Sequence, residues 1–298
     1  MMHDVIVIGG SFAGQSAALQ LARARKDVLL IDAGSPRNRF ADESHGFLGQ
    51  DGKAPHAILS EASRQLLRYP TVNILKDHAQ HARRLDDAFA VSLKDGTEHR
   101  ARRLILATGV TDTLPDIPGM KERWGSTVLH CPYCHGYEVR DHALGIIANH
   151  PLAAHQAALI PDWGPATYFT QGLHEPEPEQ ADLLRRRGVV IERNPVVALL
   201  GDAPALRAVQ LADGRTIAVA AVFTMPRTRP SSPIAEALGC VMEDGPTGPY
   251  VKVDARGLTS IPGVYAAGDA AHPMHNATLA AAAGVMAGIA AHQSLALS

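Results

Sequence analysis

Cys131-Pro132-Tyr133-Cys134-His135-Gly136 is the segment of this chain whose residue types and spacing carry the most chemistry. Two cysteines three positions apart share one helical turn and can close a disulfide. A helix N-terminus or an adjacent imidazolium favours the thiolate, which is the reactive form. The spacing therefore suits dithiol exchange. It also supplies half of a tetrahedral zinc site, with His130 and His135 flanking it, but the chain has no second C-x-x-C and no close H-x-x-x-H. No metal is expected. His135, with an unperturbed pKa of about 6.5, suits proton handling at neutral pH, and His130 is a weaker candidate for the same task. The other pairs with metal-like intervals, His78/His81 and His272/His275, lack Cys or carboxylate partners nearby and are not read as ligands. Cys240 stands alone and reads as a small buried hydrophobe.

A second group of residues suits a nucleotide. The apolar run Val5 to Ile8 leads into Gly9-Gly10-Ser11-Phe12-Ala13-Gly14, a helical stretch from Gln15 to Arg25, and a second apolar run, Val28 to Ile31, that ends in Asp32. Continuous apolar runs of four or five residues fit parallel strands covered on both faces, so this is a βαβ unit. A turn without side chains lets backbone amides approach a pyrophosphate, and the helix N-terminus stabilises its charge. Gly9 and Gly14 are the outer glycines of the G-x-G-x-x-G spacing, with Ser11 in the middle position. Asp32, 18 residues beyond Gly14, is placed to accept bonds from a ribose. After Arg256 come 42 residues with one formally charged side chain, Asp269. A lone carboxylate there is costly to bury unless hydrogen-bonded, and a cofactor hydroxyl is its natural partner; a solvated loop Asp is the alternative. The helix that follows begins near Asn276-Ala277-Thr278, with His275 just before it. Its positive end suits a ring that becomes anionic on reduction, which is a flavin-like demand.

These residues need an α/β scaffold to position them. The strand Gly263 to Ala267 and a helix over about 278–293 return to the sheet begun at the N-terminus. Two Pro-marked crossings, Leu114 to Gly119 and Met225 to Pro230, read as paired linkers. Between them lies a second βαβ-like series: Leu144 to Ala148, a helix around Leu152 to Ile160, Ala166 to Thr170, and Val189 to Glu192. The expected architecture is two Rossmann-like domains, the second inserted into the first: 1–116 and 227–298 for the outer domain, 117–226 for the inserted one.

With 298 residues, 46% of them hydrophobic, the chain has material for real cores; 28 Lys and Arg against 30 Asp and Glu exclude a general electrostatic footprint for nucleic acid or an anionic membrane. The longest uninterrupted apolar stretch, Leu279 to Ala291, is 13 residues, short of the roughly 18 that a membrane span requires. No secretory pattern opens the chain, and the cytoplasm is the expected compartment. Three cysteines in such a compartment suit redox chemistry better than a structural staple.

On the Gly9–Gly14 turn with Asp32, the strand end Ala107-Thr108-Gly109, Cys131 to Gly136, and Val264 to Asp269, the chain resembles the low-molecular-weight thioredoxin reductase family of flavoproteins over essentially its full length. The resemblance implies a homodimer with one FAD per subunit. Its FAD-binding residues would be Gly9, Ser11, Phe12, Ala13, Gly14, Asp32, Ala33, Thr108, Gly109, Gly268, Asp269, Ala277 and Thr278. It also implies that Cys134 is the thiol next to the flavin and that Cys131 exchanges with the substrate.

Two departures from the family pattern change the expected activity. The inserted domain's first turn reads Ala148-Asn149-His150-Pro151-Leu152-Ala153, with no glycine between Gly145 and Gly164, so the NADPH pyrophosphate cradle is missing. After the second strand, Thr170-Gln171-Gly172-Leu173-His174 offers no Arg or Lys to a ribose phosphate. The second departure is His135, where reductases carry Asp. In this, the motif resembles the FAD-dependent dithiol oxidases that close disulfides in natural products such as gliotoxin and holomycin. The expected substrate is a dithiol or disulfide, on a small molecule or a thioredoxin-like protein. A reductase with another electron donor and a non-catalytic redox sensor are the alternatives.

Overall fold

The computed structural model describes residues 2–297. The chain forms two compact units, one built from the N-terminal segment through Arg39, Ala54–Thr111 and the segment from Thr228 on, the other from Phe40–Lys53 and Asp112–Arg227. In chain order the elements are β1 (Met2–Ile8), α1 (Phe12–Arg23), β2 (Val28–Ile31), α2 (Pro55–Leu66), β3 (Val72–Leu75), β4 (Ala79–Arg84), β5 (Phe89–Leu93), β6 (Glu98–Leu106) and β7 (Val110–Thr113). There follow β8 (Val128–Leu129), α3 (Pro132–His135), β9 (Leu144–Ile147), α4 (Ala153–Leu159), β10 (Ala166–Phe169), α5 (Pro178–Arg186), β11 (Val190–Glu192), β12 (Val196–Leu200), β13 (Ala208–Leu211), β14 (Thr216–Ala218) and β15 (Ala221–Phe223). The last are β16 (Arg227–Pro230), α6 (Ile234–Ala237), β17 (Met242–Asp244), β18 (Pro249–Val251), β19 (Val264–Ala266) and α7 (Ala277–Ala296). β7 and β16, at the two Pro-marked crossings, pair as a two-stranded ribbon.

The first unit holds a seven-stranded sheet in the order β3-β2-β1-β6-β5-β4, with β19 added on β6. β6 is shared along its length: Glu98 to Ala101 pair antiparallel with β5, and Leu104 to Leu106 pair parallel with β19. The unbroken apolar run in β1 follows from burial on both faces. Val5 and Val7 pack with Ala17, Leu21, Ala287 and Ala291, whereas Ile6 and Ile8 pack with Phe89, Val91 and Ile234. α1 and α7 lie so close that a Cβ at Gly284 would stand 2.0 Å from the Ala13 carbonyl oxygen, and one at Gly288 would stand 2.6 Å from that of Ala17.

α7 corrects one expectation. It spans 20 residues, beyond the 13-residue uninterrupted run, because His292, Gln293 and Ser294 continue the helix with no formal charge; by length and composition alone it could cross a membrane. Its packing through Gly284, Ala287, Gly288 and Ala291 against α1 makes it a core helix.

The second unit is a fully parallel sheet, β11-β10-β9-β15-β8, with a separate antiparallel sheet β12-β13-β14. Leu144 and Ile146 pack on one face with Ala153, Ala157 and Leu184; Ile147, Phe169 and Val222 pack on the other with Leu199, Val209 and Leu211. Residues 40–53, which fall in the outer domain by sequence position, belong to this unit by their packing. A Cβ on Gly125 would stand 2.7 Å from the Cβ of Phe40, and a bridge between Ser44 and Lys53 closes the loop at its neck.

Candidate functional site

In the first unit the turn after β1 is fixed by three contacts that exclude a side chain. At Gly9, with φ +104°, a Cβ would meet the Ala107 carbonyl oxygen at 2.2 Å; at Gly14 it would meet the Gly9 carbonyl oxygen at 1.8 Å; at Gly10 it would meet Asp32 at 2.6 Å. The Gly10 amide donates to Asp32 Oδ1 at 3.0 Å, tying the end of β2 to the turn. Ser11 is the extended N-cap of α1, and its side chain makes no capping bond to the helix, which begins at Phe12, three residues before the expected start. Gly268, at φ +70°, brings its backbone against Ala13. Thr108 follows Ala107 at the end of β6, and the Gly109 carbonyl accepts the Ser231 amide at 3.1 Å. Ala33 is exposed next to Asp32. The unit therefore brings Gly9, Ser11, Ala13, Gly14, Asp32, Thr108 and Gly268 to the carboxyl end of its parallel strands, where ligands bind in open α/β sheets.

Asp269 has a partner that sequence reasoning did not find. Arg37 Nη1 lies 3.0 Å from Asp269 Oδ2, and both side chains are less than one-fifth exposed. The pair neutralises the lone carboxylate of the C-terminal segment, and the other carboxylate oxygen remains an acceptor. At the start of α7, Asn276 Oδ1 takes the Thr278 and Leu279 amides at 2.8 and 3.3 Å, so two of the amides that give this end its positive character are engaged by the cap. The fit to a dinucleotide cofactor thus rests chiefly on the side-chain-free cradle at Gly9, Gly10 and Gly14 and on Asp32.

In the second unit Cys131 and Cys134 form a disulfide with Cα atoms 5.3 Å apart. Cys131 is the extended N-cap of the four-residue helix α3, and Pro132 occupies its first turn, where a missing N–H costs no hydrogen bond. Gly136 leaves the helix under the Trp163 ring with no room for a Cβ, which would lie 2.8 Å from Trp163 Nε1. Tyr133, mostly exposed, stands edge-on to Trp163 with ring centroids 5.7 Å apart. The His130 carbonyl accepts from Gln156 Nε2 at 2.7 Å, and its ring lies beside Trp124. His275 belongs to the other unit, in the loop before α7.

His135 departs from the unperturbed ring expected from sequence. Burial pushes its pKa below the ordinary value; Glu138 opposes that shift and His45 adds to it. At neutral pH it is therefore an uncharged imidazole, a proton acceptor and not a cation that favours a thiolate. Glu138 and His45 carry no recognisable motif in sequence. Cys240 is buried, its thiol 3.7 Å from Thr259 Oγ1, and burial raises its pKa.

The turn from β9 to α4 is closed by the chain's own groups. His150 Nδ1 accepts the Leu152 amide at 3.1 Å, the His150 carbonyl accepts the Ala153 amide at 3.0 Å, and Pro151 has no N–H. The loop after β10 is likewise tied down: Gln171 bonds the Val196 amide and carbonyl, and Thr170 Oγ1 accepts the Gly172 amide.

A family model described as pyridine nucleotide-disulphide oxidoreductase matches residues 3–147 and 173–287. The thioredoxin reductase tcpT of Claviceps purpurea is 32% identical over 96% of this chain and 92% of its own length. Among solved structures, an oxidoreductase from Agrobacterium tumefaciens superposes with a TM-score of 0.96 at 50% identity, covering 100% of this chain and 99% of that one. HlmI superposes with a TM-score of 0.92 at 39% identity, covering 99% and 92%.

Proposed function

Because this chain belongs to the pyridine nucleotide-disulphide oxidoreductase family and is thioredoxin reductase-like, an oxidoreductase with FAD as its cofactor, we propose that it is a dithiol oxidase that closes a disulfide in its substrate with oxygen as final acceptor. The observation that carries this reading is the His150-capped turn. Two amides of the turn where a dinucleotide pyrophosphate would lie, those of Leu152 and Ala153, are taken by His150, and Pro151 has none to offer, which favours a dithiol over NADPH as the electron source.

A substrate thiolate attacks Cys131 Sγ, the Cys131–Cys134 bond breaks, and Cys134 leaves as the thiolate. The second substrate thiolate then attacks the substrate sulfur of the mixed disulfide. The oxidised product departs, and Cys131 is released as a thiol. His135, uncharged at neutral pH, accepts the first substrate thiol's proton and passes it to solvent, then accepts the second thiol's proton and delivers it to the departing Cys131 sulfur. Bound FAD supplies a two-electron acceptor for the Cys131/Cys134 dithiol, and the electron pair leaves with two protons to oxygen as hydrogen peroxide. Gly9, Gly10, Gly14 and Asp32 would hold the FAD pyrophosphate and ribose, with Asp269 kept in place by Arg37.

The assembly in this reading is a homodimer. The outward side of α7 shows Leu279, Met286 and Ile289, each more than one-third exposed and spaced along one helix face, which is the kind of stripe a second subunit covers. Light scattering should give twice the 31.7 kDa chain mass.

The names of the relatives favour a second reading, a reductase of a protein disulfide. Anaerobic titration separates the two. In a dithiol oxidase the flavin is bleached by a small dithiol and not by micromolar NADPH, and admitting air with excess dithiol gives continuous oxygen consumption. Rapid bleaching by NADPH would overturn the oxidase reading.

A further inference from the structure

The turn after β1 is held from behind by a side chain that no motif marks. Gln15 is the fourth residue of α1 and is 6% exposed. Its Nε2 donates to the Gly10 carbonyl at 2.8 Å and to the Leu59 carbonyl of α2 at 3.3 Å. Both neighbours are acceptors, so only the nitrogen end of the amide can face them, and Oε1 is left buried with no hydrogen-bond partner. Burying an unpaired acceptor is costly, and a methionine or leucine would fill the same space without that cost. What distinguishes glutamine here is its pair of donors.

Gly10 is therefore gripped at both ends: its amide donates to Asp32 Oδ1 at 3.0 Å, and its carbonyl accepts from Gln15. A glycine can turn the peptide that follows it at little steric cost, so an external hold is what keeps that peptide in one orientation. The peptide from Gly10 to Ser11 is trans, and in a trans peptide the N–H points opposite to the C=O. With the Gly10 carbonyl turned toward Gln15 and α2, the Ser11 amide is turned away from them. Ser11 holds the middle-glycine place of the G-x-G-x-x-G spacing, where the backbone comes closest to a pyrophosphate. Among the described residues nothing accepts its amide, while its carbonyl takes the Gln15 amide at 3.0 Å. We propose that Gln15 is a positioning residue of the cofactor site: by holding the Gly10 carbonyl it aims the Ser11 amide at the FAD pyrophosphate, a role that rests on FAD as the cofactor and not on where its electrons come from.

The second unit supplies a comparison. The fourth residue of α4 is also a buried glutamine, Gln156, again with an unpartnered Oε1, but its Nε2 donates to the His130 carbonyl at 2.7 Å and not to the turn before α4. There His150 closes the turn itself. The buried glutamine braces the turn in the unit whose turn is open, and is directed elsewhere in the unit whose turn is closed.

The test compares the unsubstituted protein with Gln15→Met, which keeps the length of the side chain and removes both donors. Each is stripped of FAD and titrated with it, following flavin fluorescence for affinity and the Ser11 amide by ¹H–¹⁵N NMR with ¹⁵N-serine, its signal identified by its loss in Ser11→Ala. In the unsubstituted protein the Ser11 amide proton should move downfield as FAD binds, because it gains a charged acceptor. Gln15→Met should bind FAD about tenfold more weakly, and the downfield move should shrink. Gln15→Leu takes its place if the methionine variant does not fold. A glutamine that merely anchors α2 through Leu59 gives a different pattern: the apoprotein melts earlier, but FAD affinity and the Ser11 shift stay as they were. Unchanged affinity, weaker binding with the Ser11 shift intact, or a Ser11 amide that ignores FAD in the unsubstituted protein each overturns the proposal. The titration uses neither dithiol nor oxygen, so its failure leaves the oxidase reading standing, and loss of the oxidase reading leaves its result intact.

Discussion

Gly14→Ala puts the cofactor cradle to a quantitative test. The added methyl would stand 1.8 Å from the Gly9 carbonyl oxygen, whereas real Cβ contacts essentially never fall below 3.0 Å. The turn would have to open by roughly 1.2 Å, and its opposite wall gives no room, because Gly9 itself already abuts the Ala107 carbonyl. Overpacking costs about 1–3 kcal/mol, and the upper end applies where both sides of the clash are backbone. Placed on the FAD-bound state, about 3 kcal/mol weakens the cofactor by roughly 10²-fold. The assay is FAD per chain after desalting, followed by fluorescence titration of the stripped protein with FAD. Gly214→Ala is the control: its φ of +86° makes alanine strained, at a cost of about 1 kcal/mol, but nothing lies within 4 Å and FAD content should stay at that of the unsubstituted protein. If Gly14→Ala retains FAD with unchanged affinity, the close approach of Gly9 and Gly14 does not shape the cofactor site, and the reasoning from the cradle fails.

Cys131→Ser and Cys134→Ser should both abolish turnover with a dithiol, but only Cys131→Ser should keep a pH-dependent long-wavelength absorbance from the Cys134 thiolate; the same band in Cys134→Ser would reverse the two sulfurs. Asp269→Ala should release FAD, and Arg37→Gln should weaken it by about tenfold, intermediate between an exposed and a fully buried ion pair; unchanged FAD binding in Arg37→Gln would show that the pair does not serve the cofactor.

The strands that sequence reveals are those whose burial is two-sided. Val28 to Ile31 and Leu144 to Ile147 are read to the residue or nearly so, because an unbroken apolar run of that length fits a parallel strand covered on both faces. β4, with the sequence Ala-Gln-His-Ala-Arg-Arg, reads as polar surface, and its pairing with β5 comes from contacts that no local period encodes. The early start of α1 is hidden for a different reason. Gly14 has poor helix propensity, and only the approach of Gly9, with Ala107 behind it, requires a glycine inside the helix. The disulfide is legible since its two halves are neighbours in sequence. The Arg37–Asp269 pair spans 232 positions, and the His45–Glu138 contact joins a loop of the first quarter of the chain to the exit of α3, so neither can be seen without the fold.

The divided pairing of β6 also sets an order of assembly during synthesis. Its first half can pair with β5 as soon as both have been made, but its second half waits for β19, and α1 is not covered until α7 exists. The disulfide-bearing unit ends at Arg227, so all of it has been translated while 71 residues of the other unit are still to come. At ribosomal rates of about 5–20 residues per second, that is a lag of roughly 4 to 14 s. The cysteine pair's unit is therefore complete in sequence before α7, which covers α1 beside the cofactor cradle, has been made.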